Sequence, residues 1–155
     1  MRYEAIIKKQ VNEFLRDIST LGSLPFVFVM AILFLLIDPK VSLALFVGLV
    51  LIEIFCNTIK LVFYKKRPNK QKFTNFLEKM DSGSFPSIHS ARVVLIAFCI
   101  FYLFSSKIVF ALLALGVILV GLSRVFLKKH YTIDVIAGYI IGFLTGYILK
   151  ILLLK

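Results

Sequence analysis

Three short stretches of this sequence hold side chains of types and spacings that could do chemistry. The first runs from Lys60 to Pro68 and carries Lys60 and Arg67, seven residues apart. On a helix that spacing is two turns and puts both cations on one face, with Pro68 ending the helix nearby. The second is Phe85-Pro86-Ser87-Ile88-His89-Ser90. Pro86 and Ser87 suit a helix start with Ser87 as N-cap, and the free N–H groups of such a start bind anions. His89 would stand at that end. The third runs from Ser123-Arg124 to His130 and Asp134. His130 and Asp134 are four apart, the spacing at which a carboxylate can orient and charge-balance an imidazole. Anion binding and an oriented imidazole are the chemistry on offer.

Each stretch also has a plainer reading. Lys60 and Arg67 match cations snorkelling at the end of a membrane span. Ser87 and His89 match a capped helix with an interfacial histidine. The third stretch is the most informative, because Arg, His and Asp gathered at one bilayer face demand a partner or a function. Arg92, one turn after His89, reads equally as a contact to a second phosphate or as an interfacial cation. Glu53, Asn57 and Lys60 fall on one helix face, where a structural Glu–Lys or Glu–Arg pair is the favoured role for Glu53. Tyr64 and Tyr131 read first as interfacial aromatics.

The elements that must position these residues are membrane spans. The chain has 155 residues, is 60% hydrophobic and 17% charged, and has a mean hydropathy of +0.95. A soluble domain carries about a quarter charged residues, so the bilayer is the solvent for most of this chain. Five apolar runs are expected as spans: Leu24–Ile37, Val41–Phe63, Ile88–Phe104, Ile108–Leu127 and Thr132–Leu154. Residues 1–20 are expected as an amphipathic helix on the membrane surface, with Ile7, Val11, Phe14 and Ile18 forming its apolar stripe. The expected fold is therefore all-α, an integral-membrane helical bundle in a single domain over residues 1–155, with residues 21–155 as its transmembrane core. No cleavable signal peptide is read, since a span rather than a cleavage site follows the charged N-terminus.

Span order places the N-terminal helix, the polar segment Tyr64–Phe85 and the turn Lys128–Tyr131 on one side of the membrane. All three chemical stretches meet there. Of the 19 Lys and Arg, only Lys40, Lys107, Lys150 and Lys155 fall on the other side. The positive-inside bias then puts the candidate site at the cytoplasmic face. A formal net charge of +11, clustered between apolar runs, suits anionic lipid head groups or phosphate substrates rather than nucleic acid. Cys56 and Cys99 lie inside apolar runs and read as packing residues. No Cys, His and acid cluster has metal-ligand spacing, so no metal or other cofactor is expected.

Taken together, the three stretches resemble the type 2 phosphatidic acid phosphatase superfamily. Its signature is Lys-x6-Arg-Pro, then Pro-Ser-Gly-His, then Ser-Arg-x5-His-x3-Asp. This chain has Lys60-x6-Arg67-Pro68, Pro86-Ser87-Ile88-His89 and Ser123-Arg124-x5-His130-x3-Asp134. One signature position departs: Ile88 stands where the family has Gly. Ile keeps the backbone N–H but adds a stiff side chain that narrows the approach to a phosphate. The likeness runs from about Val41 to the C-terminus; the first of the six spans usual in the membrane family is expected to be missing, with the amphipathic N-terminal helix in its place.

The resemblance implies a membrane-bound hydrolase of lipid phosphates or diphosphates. His130 would be the nucleophile, forming a phosphohistidine, and Asp134 would orient it. His89 would protonate the leaving oxygen. Lys60, Arg67, Ser87 and Arg124, with backbone N–H groups near Ile88, would hold the phosphoryl oxygens. The chemistry agrees, since phosphoryl transfer is mostly positioning plus stabilisation of charge on those oxygens. Nearby cations also lower the pKa of a histidine and keep it neutral and nucleophilic. Surplus cations at Lys65, Lys66, Arg92, Lys128 and Lys129 point to a polyprenyl diphosphate. Phosphatidylglycerophosphate and phosphatidate are the alternatives, and a non-enzymatic lipid-binding or scramblase-like protein on the same fold is the rival of another class.

Overall fold

Backbone amides inside a bilayer must be satisfied within the chain's own helices or a closed barrel, and every apolar run of this chain becomes helix. A computed structural model describes residues 2–69 and 83–154. Its helices are α1 (Arg2–Thr20), α2 (Leu24–Ile37), α3 (Pro39–Val62), α4 (Ile88–Phe104), α5 (Lys107–Phe126) and α6 (Thr132–Leu153). Side-chain oxygens start several of them. Ser23 accepts from Phe26 N, Asp38 from Lys40 N, Ser87 from Ser90 N and Ser106 from Val109 N. Each satisfies an amide that the helix itself leaves open.

α4 sits at the centre, packed on α3, α5 and α6, while α2 packs on α3 and α1 on α5. Leu45, Leu49, Ile52, Leu95, Ile96 and Leu149 fill the core. The outer surface is also apolar: Leu36, Ile54, Leu112 and Leu152 are all more than half exposed, as a lipid-facing surface requires.

The span count differs from five. α3, α5 and α6 are each long and apolar enough to cross a membrane. α2 has 14 residues, about 21 Å at the helical rise, short of a hydrocarbon core of about 30 Å. It meets α1 at a 43° bend, and the bent pair reaches span length together. α4 has 17 residues and is likewise shorter than the three long apolar helices. α1 is thus an amphipathic helix, as its stripe predicts, but it is continuous with α2 through a bend.

The other difference lies after α3. The helix ends at Val62, with Phe63 as its C-cap, well before Pro68. Lys65 and Lys66 are instead extended: Ser84 N donates to Lys65 O at 2.8 Å, and Lys66 forms an antiparallel bridge with Gly83. Lys60 and Arg67 therefore do not share a helix face. Residues 70–82, which make up much of the polar segment expected between Tyr64 and Phe85, lie outside the described residues.

Close contact between α4 and α6 rests on glycines every fourth residue. A Cβ at Gly138 would lie 2.4 Å from Ser87 O, one at Gly142 2.3 Å from Ala91 O, and one at Gly146 2.7 Å from Phe98 Cγ. Small residues at this spacing let two helix backbones approach. Gly142→Ala should therefore lower stability by roughly 1–3 kcal/mol through overpacking. Gly116→Ala, where a Cβ would meet nothing within 4 Å, should leave it unchanged or raised. Thermal unfolding of both variants in detergent checks this, and equal melting temperatures would contradict the close-packing account.

Candidate active site

The polar ends of three helices and two connecting stretches converge on one cavity of about 240 Å³. α3 contributes Glu53, Asn57 and Lys60, all on one face near its end. Arg67 comes from the extended stretch beyond. The first turns of α4 supply Ile88, His89 and Arg92, the last turn of α5 supplies Arg124, and His130 follows it. Lys60, Arg92, Arg124 and His130 are buried, as few charged groups are without a partner or a task.

His130 is placed by the turn after α5. Lys128 takes a left-handed conformation, φ 54°, which costs a side-chain-bearing residue about 1 kcal/mol. The turn closes with Lys129 N and His130 N both donating to Arg124 O. His130 Nδ1 then donates to Ser84 O at 2.6 Å. That bond fixes the tautomer and leaves Nε2 as the basic ring nitrogen. Burial holds the imidazole well below its ordinary range, to about 3, with the Arg124 guanidinium as the next cause. Arg67 and Lys60 push the same way, and the Ser84 carbonyl pushes back. The ring is a neutral base at physiological pH.

Asp134 is not hydrogen-bonded to His130. Its Oδ2 lies 4.0 Å from Nδ1. The carboxylate is fully buried and accepts from Lys65 Nζ at 2.6 Å, Ser84 Oγ at 2.8 Å and Tyr131 N at 2.8 Å. Ser84 stands between acid and imidazole, its hydroxyl on one and its carbonyl against the other. Ser87 also sits behind the cavity rather than in its lining. It caps α4, its hydroxyl accepts from Ser90 Oγ at 2.8 Å, and its N–H donates to Asp134 O.

Arg92 is ion-paired with Glu53: its Nε donates to Glu53 Oε1 at 2.7 Å, and its Nη2 closes on the same oxygen. This is the Glu–Arg pair the spacing suggested. The residues gathered by motif spacing thus divide. Lys60, Arg67, Ile88, His89, Arg92, Arg124 and His130 line the cavity, while Ser87 and Asp134 support it. Ser84 and Ser19, which meet His130 and Arg124 respectively, belong to no motif, and no sequence pattern marks them. Among the described residues, no three His, Cys, Asp or Glu come together as metal ligands.

The family model of the PAP2 superfamily matches residues 41–155, which contain every cavity-lining residue. Two solved structures share the fold. A transmembrane PAP2-type phosphatidylglycerolphosphate phosphatase from Bacillus subtilis aligns with a TM-score of 0.73 at 24% identity, covering 92% of this chain and 76% of that one. LpxE from Aquifex aeolicus aligns at 0.76 and 24%, covering 90% and 85%.

The His130 environment has a pH consequence. The unfolded chain protonates this histidine near 6.5 and the folded chain only near 3. Between those values the unfolded state binds more protons, so this contribution to stability is present above 6.5 and is lost as pH falls towards 3. His130→Gln should flatten that dependence, measured by unfolding at neutral and mildly acidic pH. In the wild-type chain, histidine ¹⁵N NMR should show the neutral Nδ1–H form throughout pH 5 to 8; a titration of His130 near 6.5 would contradict it.

Proposed function

The chain belongs to the PAP2 superfamily, and we propose that it is a membrane-embedded lipid phosphatase working through a phosphohistidine. One observation carries the reading: His130, neutral and with Nε2 basic, lines a single cavity with His89, Lys60, Arg67 and Arg124. Nε2 attacks the phosphorus as the bond to the leaving oxygen breaks, and His89, which takes up a proton beside the bound phosphate anion, gives it to that oxygen. Lys60, Arg67 and Arg124 hold the charge that spreads over the equatorial oxygens. Water then attacks the phosphohistidine, returning its proton to His89 and releasing phosphate. Cation clamps do here what bound metal does in many phosphoryl-transfer sites, so the activity is proposed to be metal-independent.

Two substrate classes compete. The count of surplus cations favours a polyprenyl diphosphate. A specific observation favours a phosphate monoester such as phosphatidylglycerophosphate or phosphatidate. Of the five surplus cations, Arg92 alone is among the described residues that line the cavity, and it is paired with Glu53, while Lys65 is paired with Asp134; the other lining cations are Lys60, Arg67 and Arg124, a number that suits one phosphate. The active site is proposed to face the cytoplasm, following the distribution of basic residues.

Purified protein in detergent with EDTA should release phosphate from at least one of polyprenyl diphosphate, phosphatidylglycerophosphate and phosphatidate. His130→Ala should abolish release, and the ranking of the three names the class. Silence on all three would sink the phosphatase reading. A phosphate leaving group needs less protonation than an alkoxide, so His89→Ala should impair diphosphate cleavage less than monoester cleavage; equal losses would count against His89 as the acid. For sidedness, single cysteines at Gln71 and Ser106, in a chain lacking Cys56 and Cys99, should label from outside intact cells only at Ser106.

A further inference from the structure

Residues 1–40 precede the segment that the family model matches, yet the bend between α1 and α2 reaches the catalytic cations. Resting on the phosphatase reading, we propose that Ser19 is a positioning residue that holds Arg124 in place for the phosphoryl group. Ser19 is 5% exposed, and no other described side chain of α1 is buried. Its Oγ accepts a hydrogen bond from Arg124 Nη1 at 2.7 Å, between residues 105 apart in sequence. A buried serine hydroxyl set against a guanidinium is an oriented acceptor rather than a packing contact, and bonds to charged groups are the stronger ones.

The same bend makes two more contacts with the site. Gly22 O faces Arg92 Nη1 at 3.4 Å. A Cβ on Gly22 would lie 2.6 Å from the carbonyl oxygen of His89, so only glycine lets the bend rest on the first turn of α4. One short piece of chain thus touches Arg124, Arg92 and the backbone of His89, on two different helices.

Arg124 lines the catalytic cavity and also a second cavity of about 210 Å³, shared with Arg16, Ser19, Asn69 and Lys129. The Ser19 bond holds Nη1 at the junction of the two cavities. A cation already in place costs no reorganisation when charge develops on the phosphoryl oxygens. Loss of the Ser19 bond removes one of the contacts that pre-order it.

The test is a double-mutant cycle between Ser19→Ala and Arg124→Gln, with Ser19→Thr as the conservative variant. Phosphate release is followed on the three lipids named above, and orthovanadate, a five-coordinate mimic of the transferring group, is followed as inhibitor and by calorimetric binding. Ser19→Ala should lower kcat/KM roughly tenfold, the scale of one lost hydrogen bond to a charge, and weaken vanadate binding by a similar factor. Ser19→Thr, which keeps the hydroxyl, should recover most of both. In the Arg124→Gln background, Ser19→Ala should cost little more, because the two residues act as one unit. A working wild type with Ser19→Ala at full activity, or with the same tenfold loss in the Arg124→Gln background, would overturn the positioning role and leave the phosphatase reading standing. A wild type that neither releases phosphate nor binds vanadate would overturn both.

Discussion

An ionised carboxylate taken out of water costs several kcal/mol unless other groups replace its hydration, and Asp134 has no exposed surface. Its three partners come from three separate parts of the chain. Lys65 lies beyond the end of α3, Ser84 lies just before α4, and Tyr131 N opens α6. Satisfying this one group therefore draws together the segments that carry the rest of the site. Ser84 passes the constraint on, since the residue whose hydroxyl serves Asp134 also offers the carbonyl that holds His130 Nδ1. The acid orients the imidazole at one remove, through the backbone it anchors, and its negative charge is shared with Lys65 rather than given directly to the ring.

That arrangement suits the proposed chemistry better than a direct pair would. A carboxylate hydrogen-bonded to the imidazole would raise its pKa and favour the protonated, non-nucleophilic form. With Asp134 committed elsewhere, burial and the nearby Arg124 keep His130 neutral. The cations are treated unevenly in the same way. Glu53 is paired with Arg92, and Lys60, Arg67 and Arg124 line the cavity with the two histidines. Like charges held close in a low-dielectric site oppose folding. They are tolerated where they serve an anion.

Much of this was legible in the sequence because two of its signals are strong. Long apolar runs can only be helices in a bilayer, and the motif spacing picks out Lys60, Arg67, His89, Arg124 and His130, five of the nine residues that line the cavity. The failures share a cause. Helical periodicity puts Lys60 and Arg67 on one helix, but the chain leaves helix after Val62 and pairs instead with residues 83 and 84. The role of Ser84 depends on a contact 46 residues away, and that of Ser19 on one 105 residues away. A lone serine carries no periodicity, so neither could be seen. Gly138, Gly142 and Gly146 do form a pattern, four residues apart, but its meaning depends on which helix faces them.

Two scaffolds meet at the cavity, and they fix different halves of it. The histidines belong to the junction of α4 with α6. Glycines let those helices touch near Ser87 and Ala91, and Ser87 N bonds to Asp134 O, so the first turns of the two helices are locked at backbone level. Backbone contact has little slack, which suits an attacking nitrogen and a proton donor that must face each other across one phosphorus. The cations reach the cavity on long side chains, which backbone packing cannot fix. They are instead held at their tips, Arg92 by Glu53 and Gly22, Arg124 by Ser19. The α4–α6 junction places the nucleophile, Glu53 on α3 holds Arg92, and the bend between α1 and α2 adds tip contacts to Arg92 and Arg124 that lie outside the matched segment.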